Sequence, residues 1–276
     1  MISLVVSTYD APGHLEAVLR ALSEQSDERF EVVVADDGSG PETCDLVERW
    51  RGVFGDRLTH VWQPDKGFRI ARARNLGALQ AAGDYLVFLD GDCVPRRNFV
   101  RAMRSAGRPG WFVAGRRLEL SEALTARVLR EQLPVHRWSF QHWLRARADV
   151  SSLRALTPRD RRRVGAGHLP EYVPHDRAYG YLLGVSRRDF ELVEGYDTRF
   201  VGWGEEDVDI AVRLGRLGLR CGHAGSAATV MHLWHSSQKI PERANWWLLQ
   251  ETEQCNRVEA VSGLSELAAE PVRTGR

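Results

Sequence analysis

The sequence has 276 residues, 43% of them hydrophobic and 27% charged, the balance of a folded chain long enough to bury a sizeable core. No apolar run approaches the roughly 20 residues of a membrane span, and Met1-Ile2-Ser3-Leu4-Val5-Val6 lacks the basic start and small-residue cleavage site of a signal peptide. Cys44, Cys93, Cys221 and Cys255 are scattered with no C-x-x-C pair, which argues against a zinc or disulfide framework and makes a reducing cytoplasm the expected location.

The first hundred residues predict alternating strands and helices. Ile2–Ser7 is a continuous apolar run, as a buried parallel strand requires. His14–Ser26 sets Leu15, Val18, Leu19 and Leu22 at helical spacing. A second strand, Glu31–Ala35, runs into the turn-forming loop Asp36-Asp37-Gly38-Ser39-Gly40. Pro41–Trp50 predicts a helix with Pro in its first turn, Leu58–Trp62 a strand, and Ile70–Ala82 a helix ended by Gly83. Tyr85–Leu89 predicts a fourth strand, followed by Asp90-Gly91-Asp92. This order implies right-handed crossovers and a mainly parallel sheet, with ligands beyond the carboxyl ends of the strands. Ser7, Asp37 and Asp90 all fall at such ends.

From Leu118 to Tyr179 the pattern is less regular, with four prolines and an expected mobile loop at Gly165-Ala166-Gly167. Tyr181–Ser186 predicts a strand, Arg187–Val193 a helix, Gly195-Tyr196-Asp197 a turn, and Val208–Leu217 a helix; the last dozen residues read as a frayed tail. Between Arg96 and Arg163 stand 17 arginines against 5 acids, a local balance of +12. That asymmetry fits an anionic partner or, equally, a solvated helical face. The stretch matches no nucleic-acid-binding module, so no nucleic-acid partner is expected. Trp138, Trp143 and Trp246-Trp247-Leu248-Leu249 suit core packing, with peripheral membrane contact as the other reading.

Three motifs carry chemistry. Asp90-Gly91-Asp92 sets two short, acceptor-only carboxylates after a buried strand, suited to a hard cation such as Mg²⁺ or Mn²⁺, with Gly91 letting the backbone turn close to a diphosphate. It is also an ordinary Asp-Gly turn. Asp37 can accept the imide N–H of uracil, and Arg74 lies on a helix entering the same crevice, there to reach a nucleotide or to be solvated. Phe200-Val201-Gly202-Trp203-Gly204-Glu205-Glu206-Asp207 offers an aromatic face and carboxylates at a helix start, where acids also simply suit the macrodipole. In Met231-His232-Leu233-Trp234-His235 either imidazole suits Mn²⁺.

The order Val-Val-Ser-Thr-Tyr, Asp-Asp-Gly-Ser, Ala73-Arg74-Asn75, Asp90-Gly91-Asp92 resembles the family 2 glycosyltransferases of the GT-A fold, over residues 1–105 and again over 178–240. The Trp203-Gly204-Glu205-Glu206-Asp207 run is similar to the Trp-Gly-x-Glu-Asp segment of galactosyltransferase-like and chondroitin-polymerase-like members. The resemblance implies a Rossmann-like α/β fold, a mainly parallel central sheet flanked by helices. It also implies an inverting, metal-dependent transferase that uses a nucleotide diphosphate sugar, UDP-linked, and a carbohydrate, lipid-linked or small-molecule hydroxyl acceptor. It makes Asp37, Ser7 and Tyr9 the base pocket, Asp90 a ribose or metal-water contact, Asp92 a metal ligand, Asp207 the base, and Glu206 with Trp203 acceptor contacts. A late metal-binding His maps to His235 ahead of His232. Val208 stands where some relatives carry another Asp.

On this reading residues 1–105 form the donor half, 106–250 the acceptor and catalytic half, and 251–276 a tail. A sugar-phosphate nucleotidyltransferase shares the architecture but carries a Gly-rich, Arg-containing loop after the first strand, where this chain reads Tyr9-Asp10-Ala11-Pro12-Gly13-His14. A non-catalytic nucleotide-sugar-binding protein is the third reading, against which Asp92, Asp207 and His235 speak.

Overall fold

A computed structural model describes residues 1–151, 153–156, 171–172, 181–236 and 243–269. Strands β1 (Ile2–Thr8), β2 (Phe30–Asp36), β3 (Leu58–Trp62) and β4 (Tyr85–Asp90) alternate with helices α1 (Pro12–Ser23), α2 (Pro41–Phe54) and α3 (Ile70–Gln80). There follow β5 (Cys93–Pro95), α4 (Phe99–Ala106), β6 (Trp111–Ala114), β7 (Arg116–Glu119), α5 (Glu122–Glu131) and α6 (Phe140–Arg145). Then come β8 (Glu171–Tyr172), β9 (Leu182–Ser186), α7 (Arg187–Leu192) and α8 (Glu206–Arg216). The chain continues through β10 (Arg220–His223), β11 (Thr229–His232), α9 (Arg243–Gln254) and α10 (Leu264–Ala268).

The main sheet has the order β3-β2-β1-β4-β9-β6-β10-β8. β3, β2, β1 and β4 pair in parallel; β9 runs against both β4 and β6, and β10 is parallel to β6. The expected mainly parallel sheet is therefore present, with β9 and the short β8 reversed. Every residue of β1 is buried, because helices cover both faces. Strand alternation sends Leu4 and Val6 into one core with Leu15, Leu19 and Leu46, and Val5 into the other with Ala73, Ile210 and Leu214. A second sheet of three strands, β5-β11-β7, stands beside the first.

Several predicted boundaries move for local reasons. α1 begins at Pro12 and ends at Ser23, since Gln25 and Ser26 turn to bond Arg96 O and Arg97 O. α2 runs on to Phe54 and stops at Gly55, whose φ of 58° suits glycine. α3 stops at Gln80; Gly83 is needed not as its cap but for close approach, since a Cβ there would lie 2.6 Å from Ser3 Oγ. α8 begins at Glu206, so Glu206 and Asp207 occupy its first turn instead of preceding it. The irregular middle contains α5 and α6; the predicted loop at 165–167 lies outside the described residues. Of the segment assigned to the tail, residues 251–254 finish α9, and α10 buries Leu264 and Leu267 against the α3 side of the core. Among the described residues no helix is long and apolar enough to cross a membrane.

α3 sits unusually close to the sheet. A Cβ on Gly77 would lie 2.7 Å from Val5 Cγ1 and 3.1 Å from Ala35 Cβ. Alanine would gain about 0.5–1 kcal/mol of helix propensity but overpack a site where such insertions cost about 1–3 kcal/mol. We expect Gly77→Ala to lower unfolding free energy in urea by about 1–2 kcal/mol despite the better helix former.

Candidate active site

The carboxyl ends of β1, β2 and β4 converge as expected. Ser7 Oγ donates to Asp90 Oδ1 at 3.1 Å. Gly91 N donates to Ser7 O at 2.7 Å, and a Cβ on Gly91 would strike that same oxygen. Gly91 is thus required by the strand beside it, a different reason from the tight turn read in the sequence.

The loop after β2 is held from below. Asp36 Oδ1 accepts from Gly38 N and Ser39 N at 3.1 and 2.8 Å, while its Oδ2 meets His60 Nε2 at 2.9 Å in a fully buried pair. Gly38 has a φ of 105° and packs on Asp65, so no other residue fits. Asp37 Oδ2 accepts Arg69 N at 2.6 Å, and its Oδ1 accepts Gln63 Nε2. Burial pushes the Asp37 carboxyl above its ordinary value, against these hydrogen bonds, which favour the charge. Tyr9 is exposed at the rim, its hydroxyl donating to Asp65 Oδ2 at 3.2 Å.

Arg74 is neither solvated nor turned to the open crevice. It is 2% exposed and donates to Asp90 Oδ1 at 2.8 Å and to Glu206 Oε1 at 3.2 Å. Its guanidinium lies 5.2 Å from the Tyr196 ring centroid. One buried cation therefore ties the end of β4 to the start of α8. Burial pushes Glu206 up to about 7, with Asp207 adding to the shift and Arg74 opposing it. Asp90 is raised by burial in the same way, while Arg74 pulls it down and Asp92 adds to the rise.

Asp92 lies between two imidazoles. His235 Nε2 is 3.0 Å and His232 Nε2 3.3 Å from Asp92 Oδ2, so both candidate imidazoles stand at the same carboxylate. The small sheet explains this: β11 pairs antiparallel with β5, setting His232 opposite Cys93, and Leu233 N donates to Asp92 O at 2.9 Å. Burial works to raise the Asp92 carboxyl, but the two histidines outweigh it and hold it far below the carboxylate range. Ligand atoms of Asp92, His232 and His235 lie within 4.8 Å of one another. Asp92 Oδ1 is buried with no hydrogen-bond partner among the described residues. Two imidazole nitrogens beside Asp92 Oδ2, with the unsatisfied Oδ1 on the same carboxylate, make a donor set that fits a divalent cation.

The loop before α8 is a tight bend. Gly202, Gly204 and Glu205 have φ of 83°, 101° and 73°, the last a left-handed position that costs a non-glycine residue of order 1 kcal/mol. The bend exposes Trp203, buries Glu206 and leaves Asp207 half-buried at the start of the helix. Asp209 one turn in is structural: fully buried, it takes Arg213 Nε at 2.8 Å and Thr252 Oγ1 at 2.7 Å.

Sequence reasoning passed over Asn75, Gln63, His60 and Tyr196. Asn75 is fully buried and clamps the Tyr196 backbone, donating to Tyr196 O at 2.7 Å and accepting from Tyr196 N at 2.9 Å. The available signal was the polar Arg74-Asn75 pair flanked by Ala73 and Leu76 in a predicted helix. His60 and Gln63 gave none, since their partners come from β2, the loop after it and α3.

Residues 3–138 match the family model of glycosyl transferase family 2, and residues 161–236 that described as the N-terminal domain of galactosyltransferase. Over 234 residues the chain is 30% identical to validoxylamine A glucosyltransferase of Streptomyces hygroscopicus subsp. jinggangensis, covering 78% of this chain and 51% of that protein. It is 25% identical over 231 residues to hyaluronan synthase of Pasteurella multocida, covering 79% and 23%. The chain thus spans about half the length of the first relative and less of the second. A mannosyltransferase, PcManGT from Pyrobaculum calidifontis in complex with GDP-Man and Mn²⁺, superposes with a TM-score of 0.56 at 19% identity, covering 99% of this chain and 65% of that one. TarS of S. aureus in complex with UDP-GlcNAc gives 0.61 at 13%, covering 96% and 68%. At such identities these two show a shared fold. Motifs, topology and family matches agree, and the chain belongs to the family 2 glycosyltransferases of the GT-A fold.

Proposed function

We propose that this chain transfers a sugar from a nucleotide diphosphate sugar, UDP-linked, to a hydroxyl of a carbohydrate, lipid-linked or small-molecule acceptor, with inversion and with Mn²⁺ or Mg²⁺. The observation that carries it is the Arg74 bridge, which sets Asp90 of the first motif beside Glu206-Asp207 of the second. The complexes of PcManGT with GDP-Man and Mn²⁺ and of TarS with UDP-GlcNAc support a nucleotide-sugar donor on this fold. The β1–α1 loop, with Asp10 bonded to Ser39 and Gly40, has no glycine-rich arginine loop and so disfavours a nucleotidyltransferase.

In this reading residues 1–105 bind the donor, with Asp37 accepting the uracil imide and Ser7 and Tyr9 shaping the base pocket. Asp92, His232 and His235 would hold the cation, which when bound supplies positive charge against the diphosphate leaving group. Residues 106–250 bring the acceptor. A sugar hydroxyl is a poor nucleophile until its proton is removed, and a carboxylate on a rigid helix start can accept that proton. Glu206 is buried and engaged by Arg74, so it suits positioning the acceptor. Asp207, half-buried beside it, suits the base. A single displacement at the anomeric carbon turns an α-linked donor into a β-linked product. Trp203 offers its face to the acceptor ring.

Asp207→Asn is expected to cut turnover by about 10²–10⁴-fold with UDP affinity within about twofold by calorimetry; lost UDP binding would move Asp207 to the donor side. Asp92→Ala should remove the Mn²⁺ dependence of UDP binding in the same assay, and unchanged metal dependence contradicts its role as ligand.

Glu206 also predicts a pH effect on stability. Its folded pKa of about 7 lies above the ordinary glutamate value of 4.5. The stability this group supports is therefore complete below about pH 4.5 and is lost as pH rises through about 7. Thermal unfolding between pH 5 and 8 should show a shallower decline in Glu206→Gln than in the parent.

A further inference from the structure

Large apolar side chains gather in the open beside the Trp203 loop. Phe68 is 40% exposed, Trp203 41%, Trp246 44% and Trp247 56%. Two hydrogen bonds join their three segments: Gly202 N donates to Phe68 O at 2.8 Å, and Asn245 Nδ2 to Gly204 O at 2.9 Å. Asn245 is itself buried, so the start of α9 is anchored on the bend that carries Trp203.

Helix spacing explains the exposure. Asn245, Leu249 and Thr252 recur at i, i+4 and i+7 and are buried, leaving Trp246 and Trp247 off that face. The helix is also rigidly set, since Thr252 bonds Asp209 and Glu251 pairs with Arg199 at 3.1 Å. The two indoles meet edge to face, 4.6 Å between centroids. Core packing, expected from the sequence, holds for the fully buried Trp143 and fails for this pair.

Two kinds of surface suit exposed tryptophans: a lipid interface and a sugar ring. Interfacial helices carry basic residues for anionic lipid. α9 carries Arg243 against Glu251 and Glu253, the wrong sign. A neutral pyranose fits better, with its C–H face on an indole. Asn245, next to this pair, bonds the bend that carries Trp203, where the acceptor is placed under the proposed function.

We propose that Trp246 and Trp247 form a second acceptor subsite, which takes a neutral sugar ring beyond the one that bears the attacking hydroxyl. The inference rests on the transferase reading and narrows it: the acceptor is a glycoside of two or more rings.

The test is calorimetric titration of the full chain, saturated with UDP and Mn²⁺, with glucose, maltotriose and cellotriose. One of the trisaccharides should bind at least tenfold more tightly than glucose. That advantage should vanish in Trp246→Ala/Trp247→Ala and partly return in Trp246→Phe/Trp247→Phe, with UDP affinity unchanged throughout. Equal binding of mono- and trisaccharides, or an advantage that survives the double alanine variant, overturns the subsite. So does tryptophan-dependent binding to phosphatidylcholine–phosphatidylglycerol vesicles in place of glycan. Failure of UDP and Mn²⁺ to bind the parent chain would instead count against the transferase reading, so the two failures are distinguishable.

Discussion

A guanidinium sealed from water holds the candidate site together. A buried charge is tolerated only when paired and hydrogen-bonded, and Arg74 finds its pairs on two segments more than a hundred residues apart in sequence. Asp90 ends β4; Glu206 opens α8. Either partner moving away would leave a charge stranded in a low-dielectric interior, so the bridge fixes the spacing of the two acidic centres. The adjacent Asn75 repeats the constraint in neutral form by clamping the Tyr196 backbone. Both residues sit on α3, and the small side chains of that helix let it lie against β1 and β2 closely enough to reach across.

The cation site depends on a different device. β4 and β11 belong to separate sheets, yet β5 begins three residues after Asp90 and pairs with β11. This short ladder brings His232 and His235 to Asp92, with the Leu233–Asp92 backbone bond as its last rung. The histidines lower the pKa of the Asp92 carboxyl against the effect of its burial, which favours an anionic oxygen where the strands meet.

What could be read from sequence divides along the range of the interactions. The strands β1, β2 and β4 were legible because burial leaves apolar runs, and Asp37, Asp90 and Asp92 followed as polar residues at or just past their ends. Arg74 was seen as a candidate but its role was not, because its partners come from long-range packing that periodicity does not encode. The exposure of Trp246 and Trp247 was misread for the same reason: hydrophobicity marks a side chain for burial, while only the anchoring of Asn245 on Gly204 shows which face of α9 is turned in. Boundary errors at α1, α3 and α8 arose where side chains or close backbone contacts, and not helix periodicity, decide the end.

The dependence of the site on Arg74 is tested most directly by urea unfolding of Arg74→Met and of the triple variant Arg74→Met/Asp90→Asn/Glu206→Gln. Loss of the cation alone should reduce stability by about 3–5 kcal/mol, because two buried carboxylates lose their partner. Neutralising those carboxylates as well should restore most of that loss. A single variant within about 1 kcal/mol of the parent, or a triple variant no more stable than the single one, would contradict the account.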